Sequence, residues 1–180
     1  MPRISQIALA FVLVAVQPLA AQQKDKAPPP LPTKDSDGAW VVSFKLLAET
    51  RLPSGKSAVF HPELKKLVGQ KVRVTGFVQP FEDAADMWSF MVIQYPVGCW
   101  YCEAPGPTTI VLVEMPENKE LNSNLTSDAV TVTGKLELNE KDPEDFLYIV
   151  VEAAAERAKV RPYVPPAPDR PKPVHTRVHP

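Results

Sequence analysis

The sequence is poor in several residues that would narrow its chemistry. It has only two cysteines and three histidines in 180 residues. Four cysteines, the simplest closed zinc set, are therefore excluded within one chain. Two of the histidines, His175 and His179, stand in the last residues, so general acid–base work has little imidazole to draw on. The chain contains no G-x-S-x-G, no G-x-x-x-x-G-K and no H-E-x-x-H. Serine-hydrolase, nucleotide-phosphate and zinc-protease readings lack their usual motifs. There is no excess of positive charge, the formal net charge being −1. This argues against a nucleic-acid partner, which needs a basic face, and against binding to an anionic membrane surface. No nucleophile–base–orienter set can be assembled from what remains, which favours a non-enzymatic binding or accessory protein.

An apolar run long enough to span a bilayer is also missing, since about 20 residues are required. The longest apolar run, Ile7 to Val16, follows Arg3 and precedes Pro18, Ala20 and Ala21. That order is expected of a secretory signal peptide over residues 1–21. Cleavage removes Arg3 and leaves a formal charge of −2 with no integral membrane span. The expected location is periplasmic or secreted.

What the chain has in excess is proline, 21 residues, unevenly placed. Residues 22–37 and 161–180 are proline-rich and polar. They read as a linker and a disordered tail, unable to bury enough apolar surface to offset their ordering entropy. The folded body is expected over residues 38–160.

Inside that body the dominant pattern is period-two alternation with β-branched residues. Strands are expected over 40–47, 71–78, 88–95, 109–115, 129–138 and 146–153. One short helix fits 61–69, with Pro62 in its first turn, Leu64, Leu67 and Val68 as its stripe, and Gly69 at its end. Strands without βαβ alternation predict a small antiparallel OB-like barrel, mainly β. Gly76 and Gly134 recur in V-x-V-T-G, where a barrel strand must bend or bulge. An open β-sandwich is the competing architecture.

Both cysteines fall in "PVGCWYCEAPGP", residues 96–107, a long connection between two strands. Pro105, Gly106 and Pro107 would stop any helix after Cys102, so a thioredoxin-type active site is disfavoured. Covalent haem attachment is excluded because residue 103 is glutamate. Three readings stand. Cys99 and Cys102 are ligands of a thiophilic metal, Zn or Cu, with Glu103 or His61 as a further donor. Or they form a disulfide, which an exported protein can keep, in a structural or thiol–disulfide redox role. Or Trp100 and Tyr101 form an aromatic contact through which an envelope scaffold docks a partner. Capping of the barrel mouth by the two aromatics competes with that contact role. Asp142, Glu144 and Asp145 read as a solvated turn in preference to a Ca²⁺ site.

The segments "LVGQKVRVTGFVQPF", "FMVIQYPVGCWYCEAPGPTTIVLVEM" and "VTVTGKLELN" resemble the exported bacterial proteins of the domain of unknown function 3299 family. The resemblance spans about residues 60–152. It implies a small β-barrel without an assigned activity, and by analogy an envelope protein or transporter component as partner. Cys99 matches the family cysteine. Tyr101 stands where the family usually has histidine, and Cys102 looks like a replacement donor.

Overall fold

The computed structural model describes residues 28–81, 87–96, 105–117, 119–121, 123–125, 128–142, 145–160, 162 and 164. Its strands are β1 (Thr33–Lys34), β2 (Trp40–Val41), β3 (Lys71–Gln79), β4 (Ser89–Ile93), β5 (Ile110–Glu114), β6 (Ala129–Leu138) and β7 (Tyr148–Arg157). Two short helices, α1 (Phe44–Leu47) and α2 (Pro62–Lys66), precede β3.

The sheet order is β1-β2-β3-β4-β5-β7-β6, and β3 also pairs with β6. That second pairing closes β3, β4, β5, β7 and β6 into a five-stranded barrel. All barrel pairs are antiparallel except β5–β7, which is parallel. The circuit is that of an OB-type barrel, in agreement with the alternation. Alternate positions of the strands fill its interior: Val72, Val74, Phe90, Val92, Val111, Val113, Val130 and Val132 are at most 2% exposed.

Closure depends on two glycines. Along β3, residues 72–73 lie beside β2 while 77–79 lie beside β4, so the strand changes neighbour around Gly76. A Cβ there would stand 2.5 Å from the Ile93 carbonyl oxygen and 2.7 Å from Val92 Cγ1. At Gly134 it would stand 2.6 Å from both Val150 Cγ1 and the Val151 carbonyl oxygen. The β6–β7 register shifts between Thr133 and Lys135, the bulge expected of that position.

One expected strand is corrected. Of 40–47, only Trp40–Val41 is extended; Phe44–Leu47 is helical. Ser43 is the reason. It caps the helix, its Oγ accepting from the Leu46 N–H at 3.3 Å. The turn then buries Phe44, Leu46 and Leu47 together in the core, which a strand would send to opposite faces. The second helix matches expectation more closely. Pro62 occupies its first position, Leu64 is fully buried, and Gly69 leaves it at φ +72°.

These helices close the interior around Tyr148. Its hydroxyl donates to the Leu47 carbonyl at 2.7 Å and lies 2.6 Å from Thr50 Oγ1, which supplies the second hydrogen. Phe60 meets the ring edge-on at 5.8 Å. Burial pushes the Tyr148 phenol up to about 12.

The end of the 22–37 segment is tied to the barrel. β1 pairs antiparallel with β2, and Lys34 Nζ sits 5.0 Å over the Trp40 ring. Arg73 pairs with Asp35 and, at 2.8 Å, with Asp37, while its Nε donates to Thr133 Oγ1. The Arg73 hydrogen bond and charge hold the Asp37 carboxyl below the usual carboxylate range. Residues 1–27, which include the expected signal peptide over 1–21, and the tail beyond Val164 lie outside the described residues. Among the described residues no helix is long and apolar enough to cross a membrane.

Candidate functional site

The cysteine connection leaves the barrel between β4 and β5, whose ends are held opposite each other by the Ile93–Ile110 pair. Residues 97–104, and with them Cys99, Trp100, Tyr101, Cys102 and Glu103, lie outside the described residues. Their re-entry is described. Pro107–Thr109 form one 3-10 turn, closed by the Thr109 N–H and Oγ1 donating to the Gly106 carbonyl at 2.8 and 2.9 Å. Pro107 fits because the first position of such a turn has no acceptor for an N–H.

At the foot of this connection is an apolar recess lined by Pro105, Pro107, Ile110, Asp145 and Phe146. Phe81 meets Phe146 edge-on, with ring centroids 5.7 Å apart and planes at 80°. Phe81 comes from the β3–β4 connection and is 49% exposed; Phe146 comes from the β6–β7 connection and is half-buried. Next to these loops, the outward face carries a cross-strand row. Gln79 is opposite Met91, Met91 opposite Leu112, and Leu112 opposite Ile149. All four are half-buried. Their neighbours Val78, Phe90, Val92, Val111, Val113 and Val150 point inward, so Met91, Leu112 and Ile149 give the barrel an apolar outer strip. An OB barrel binds ligands on this region, the face of its second and third strands with the first and last hairpin loops beside it.

Sequence reasoning missed the recess. The signal was present in "FMVI", "IVLV" and "YIVV", where both strand parities are apolar. A strand with a wetted outer face would alternate. The phenylalanine of "QPFEDAAD", in an otherwise acidic polar loop, was the second sign.

His61 does a structural job. Its Nδ1 accepts from the Glu63 N–H at 3.3 Å and caps α2. It lines a surface pocket with Glu49, Arg51, Val59 and Phe60, and no residue of the described loop ends shares that pocket. Among the described residues no three His, Cys, Asp or Glu converge on one point. Asn139 organises the acidic turn, its Oδ1 accepting from the N–H groups of Lys141 and Asp142 at 3.1 Å. The aromatics "WSF" part company: Phe90 is core, while Trp88 is 59% exposed.

Fold and surface together define a closed OB-type barrel with an apolar face beside a paired-cysteine connection. Residues 42–153 match the family described as "Protein of unknown function (DUF3299)", and the chain belongs to that family. A crystal structure of a DUF3299 family protein from Pseudomonas aeruginosa PAO1 is similar at 17% identity and a TM-score of 0.43, over 72% of this chain and 99% of that one. No curated protein matches the sequence.

Proposed function

We propose that this protein is an exported binding module of the periplasm or cell exterior, and that it works through the connection 96–107 and the apolar face at its foot. The observation that carries the reading is the recess of Pro105, Pro107, Ile110 and Phe146 at the described end of the connection whose sequence holds both cysteines. Large apolar groups left half in water on a small barrel mark a contact surface. Its partner is an envelope protein or transporter component, met through this face and through Trp100 and Tyr101. Cys99 and Cys102 act as a pair. Two thiolates separated by two residues converge on one ion, and both Cu(I) and Zn(II) accept sulfur. Glu103, adjacent to Cys102, is the favoured third donor over His61, whose Nδ1 already holds a backbone N–H.

The test is intact mass spectrometry of protein taken from its native compartment, under native and denaturing conditions. The expected result is a retained metal mass that is absent from the Cys102→Ser variant. A mass lower by two hydrogens would establish a disulfide instead and defeat the ligand role. Insulin reduction by the purified protein is expected to stay at background. Turnover lost in Cys99→Ser would make the protein a redox enzyme.

A further inference from the structure

The chain beyond β7 shares an apolar cluster with one wall of the recess. After β7 the chain crosses the outside of the barrel. The Ala158 N–H donates to the Ala129 carbonyl at 2.9 Å, and Ala158 and Val164 pack on the outward cluster of Phe77, Ile93 and Ala129. Ile110 packs on that same cluster, and Ile110 also lines the recess with Phe146 and the two prolines. Val164, the last described residue, thus packs on the same cluster as Ile110, one wall of the recess.

Beyond Val164 the chain reads "PPAPDRPKPVHTRVHP", residues 165–180. Its prolines favour polyproline II, at about 3.1 Å per residue, so the segment reaches about 50 Å, ample to cross the recess. Polyproline II segments dock in grooves lined by aromatic rings and proline, because their stiff backbone loses little entropy on binding. Charge agrees. The tail carries Arg170, Lys172 and Arg177 against one acid, Asp169. Asp145 stands at the recess itself.

We propose that residues 165–180 dock in cis on the recess of Pro105, Pro107, Ile110 and Phe146 as a polyproline II strand, with Arg170 and Lys172 drawn to Asp145. The tail is then an internal competitor for the face that meets the partner. This rests on the contact-surface half of the proposed function and not on the thiol chemistry.

Fluorine NMR of the full chain labelled with fluorophenylalanine tests it. Phe81 and Phe146 are assigned by single substitution. In the parent chain both are expected to show little solvent isotope shift. In the triple variant Arg170→Glu, Lys172→Glu, Arg177→Glu, and in a chain ending at Val164, both are expected to show the full shift of a wetted ring. Phe60 and Phe90 stay unchanged and report that the barrel is folded. Synthetic peptide 165–180 restores the shielding of the shortened chain. Identical spectra in all three chains overturn the proposal. Shielding that disappears on dilution overturns the cis geometry and gives the site to the tail of a second copy. The readout does not involve sulfur, so failure here leaves metal binding by Cys99 and Cys102 untouched, and failure of metal binding leaves the docking result untouched.

Discussion

The helix-covered side of the barrel and the Phe81–Phe146 side use similar residues to opposite ends. On the first, aromatic rings are dry and polar groups partnered. Tyr148 is fully buried, its hydroxyl shared between Leu47 and Thr50, and Phe60 packs on its edge. On the second, a pair of phenylalanines at almost the same ring spacing stands half in water beside prolines. The covered side is where the barrel gains stability. The other side leaves unburied apolar area on a rigid frame, and such area becomes available to a binding partner.

The sharpest way to break this contrast is to disturb closure itself. Gly76→Ala inserts a methyl into space already held by the Ile93 carbonyl, Val92 and Phe44. A loss of about 3 kcal/mol is expected, read from the denaturant midpoint, because the clash is with backbone as well as side chain. A variant as stable as the parent would mean that β3 does not bend there.

Tyr148→Phe probes the covered side alone. Removing the hydroxyl leaves Thr50 Oγ1 without its phenol partner and the Leu47 carbonyl with the Thr50 N–H alone, at an expected cost of about 2 kcal/mol. The same variant has a pH signature. The folded phenol is raised to about 12 from its ordinary 10, so the folded state keeps a proton that the unfolded state has lost. Stability from this group is complete below pH 10 and falls as pH rises towards 12. Urea titrations across that window should show a decline in the parent that is shallower in Tyr148→Phe.

Phe81→Ala probes the other side and has the smallest effect on folding, about 1 kcal/mol or less, since the ring is half exposed. Its expected consequence is on contact: peptide 165–180 loses affinity for the chain ending at Val164. A large stability loss without loss of peptide binding would reverse the assignment of the two sides.

Much of this architecture was legible from alternation. The expected strand 71–78 is 71–79 in the structure, 129–138 is unchanged, and 146–153 begins two residues later and runs on to Arg157. The bend glycines could be read because both interrupt β-branched runs. The helix at Phe44 was not read, although Ser43 was there as a cap. Four residues give too short a window for a helical period, and "WVVSFKLL" is apolar at both parities. The cysteine pair could be located by topology, between β4 and β5, while the chemistry of Cys99 and Cys102 depends on donors that spacing alone does not supply.

By itself the sequence determined the class: short alternating strands, proline-rich ends, and one paired-cysteine connection. These are local properties, written in residues a few positions apart. Only the tertiary structure decided that β3 and β6 close the sheet, that β5 and β7 run parallel, and that Phe81 and Phe146, far apart in the chain, meet edge-on. Those facts depend on pairings between distant segments, and a strand carries in its own residues no record of which neighbour will satisfy its backbone N–H and C=O groups.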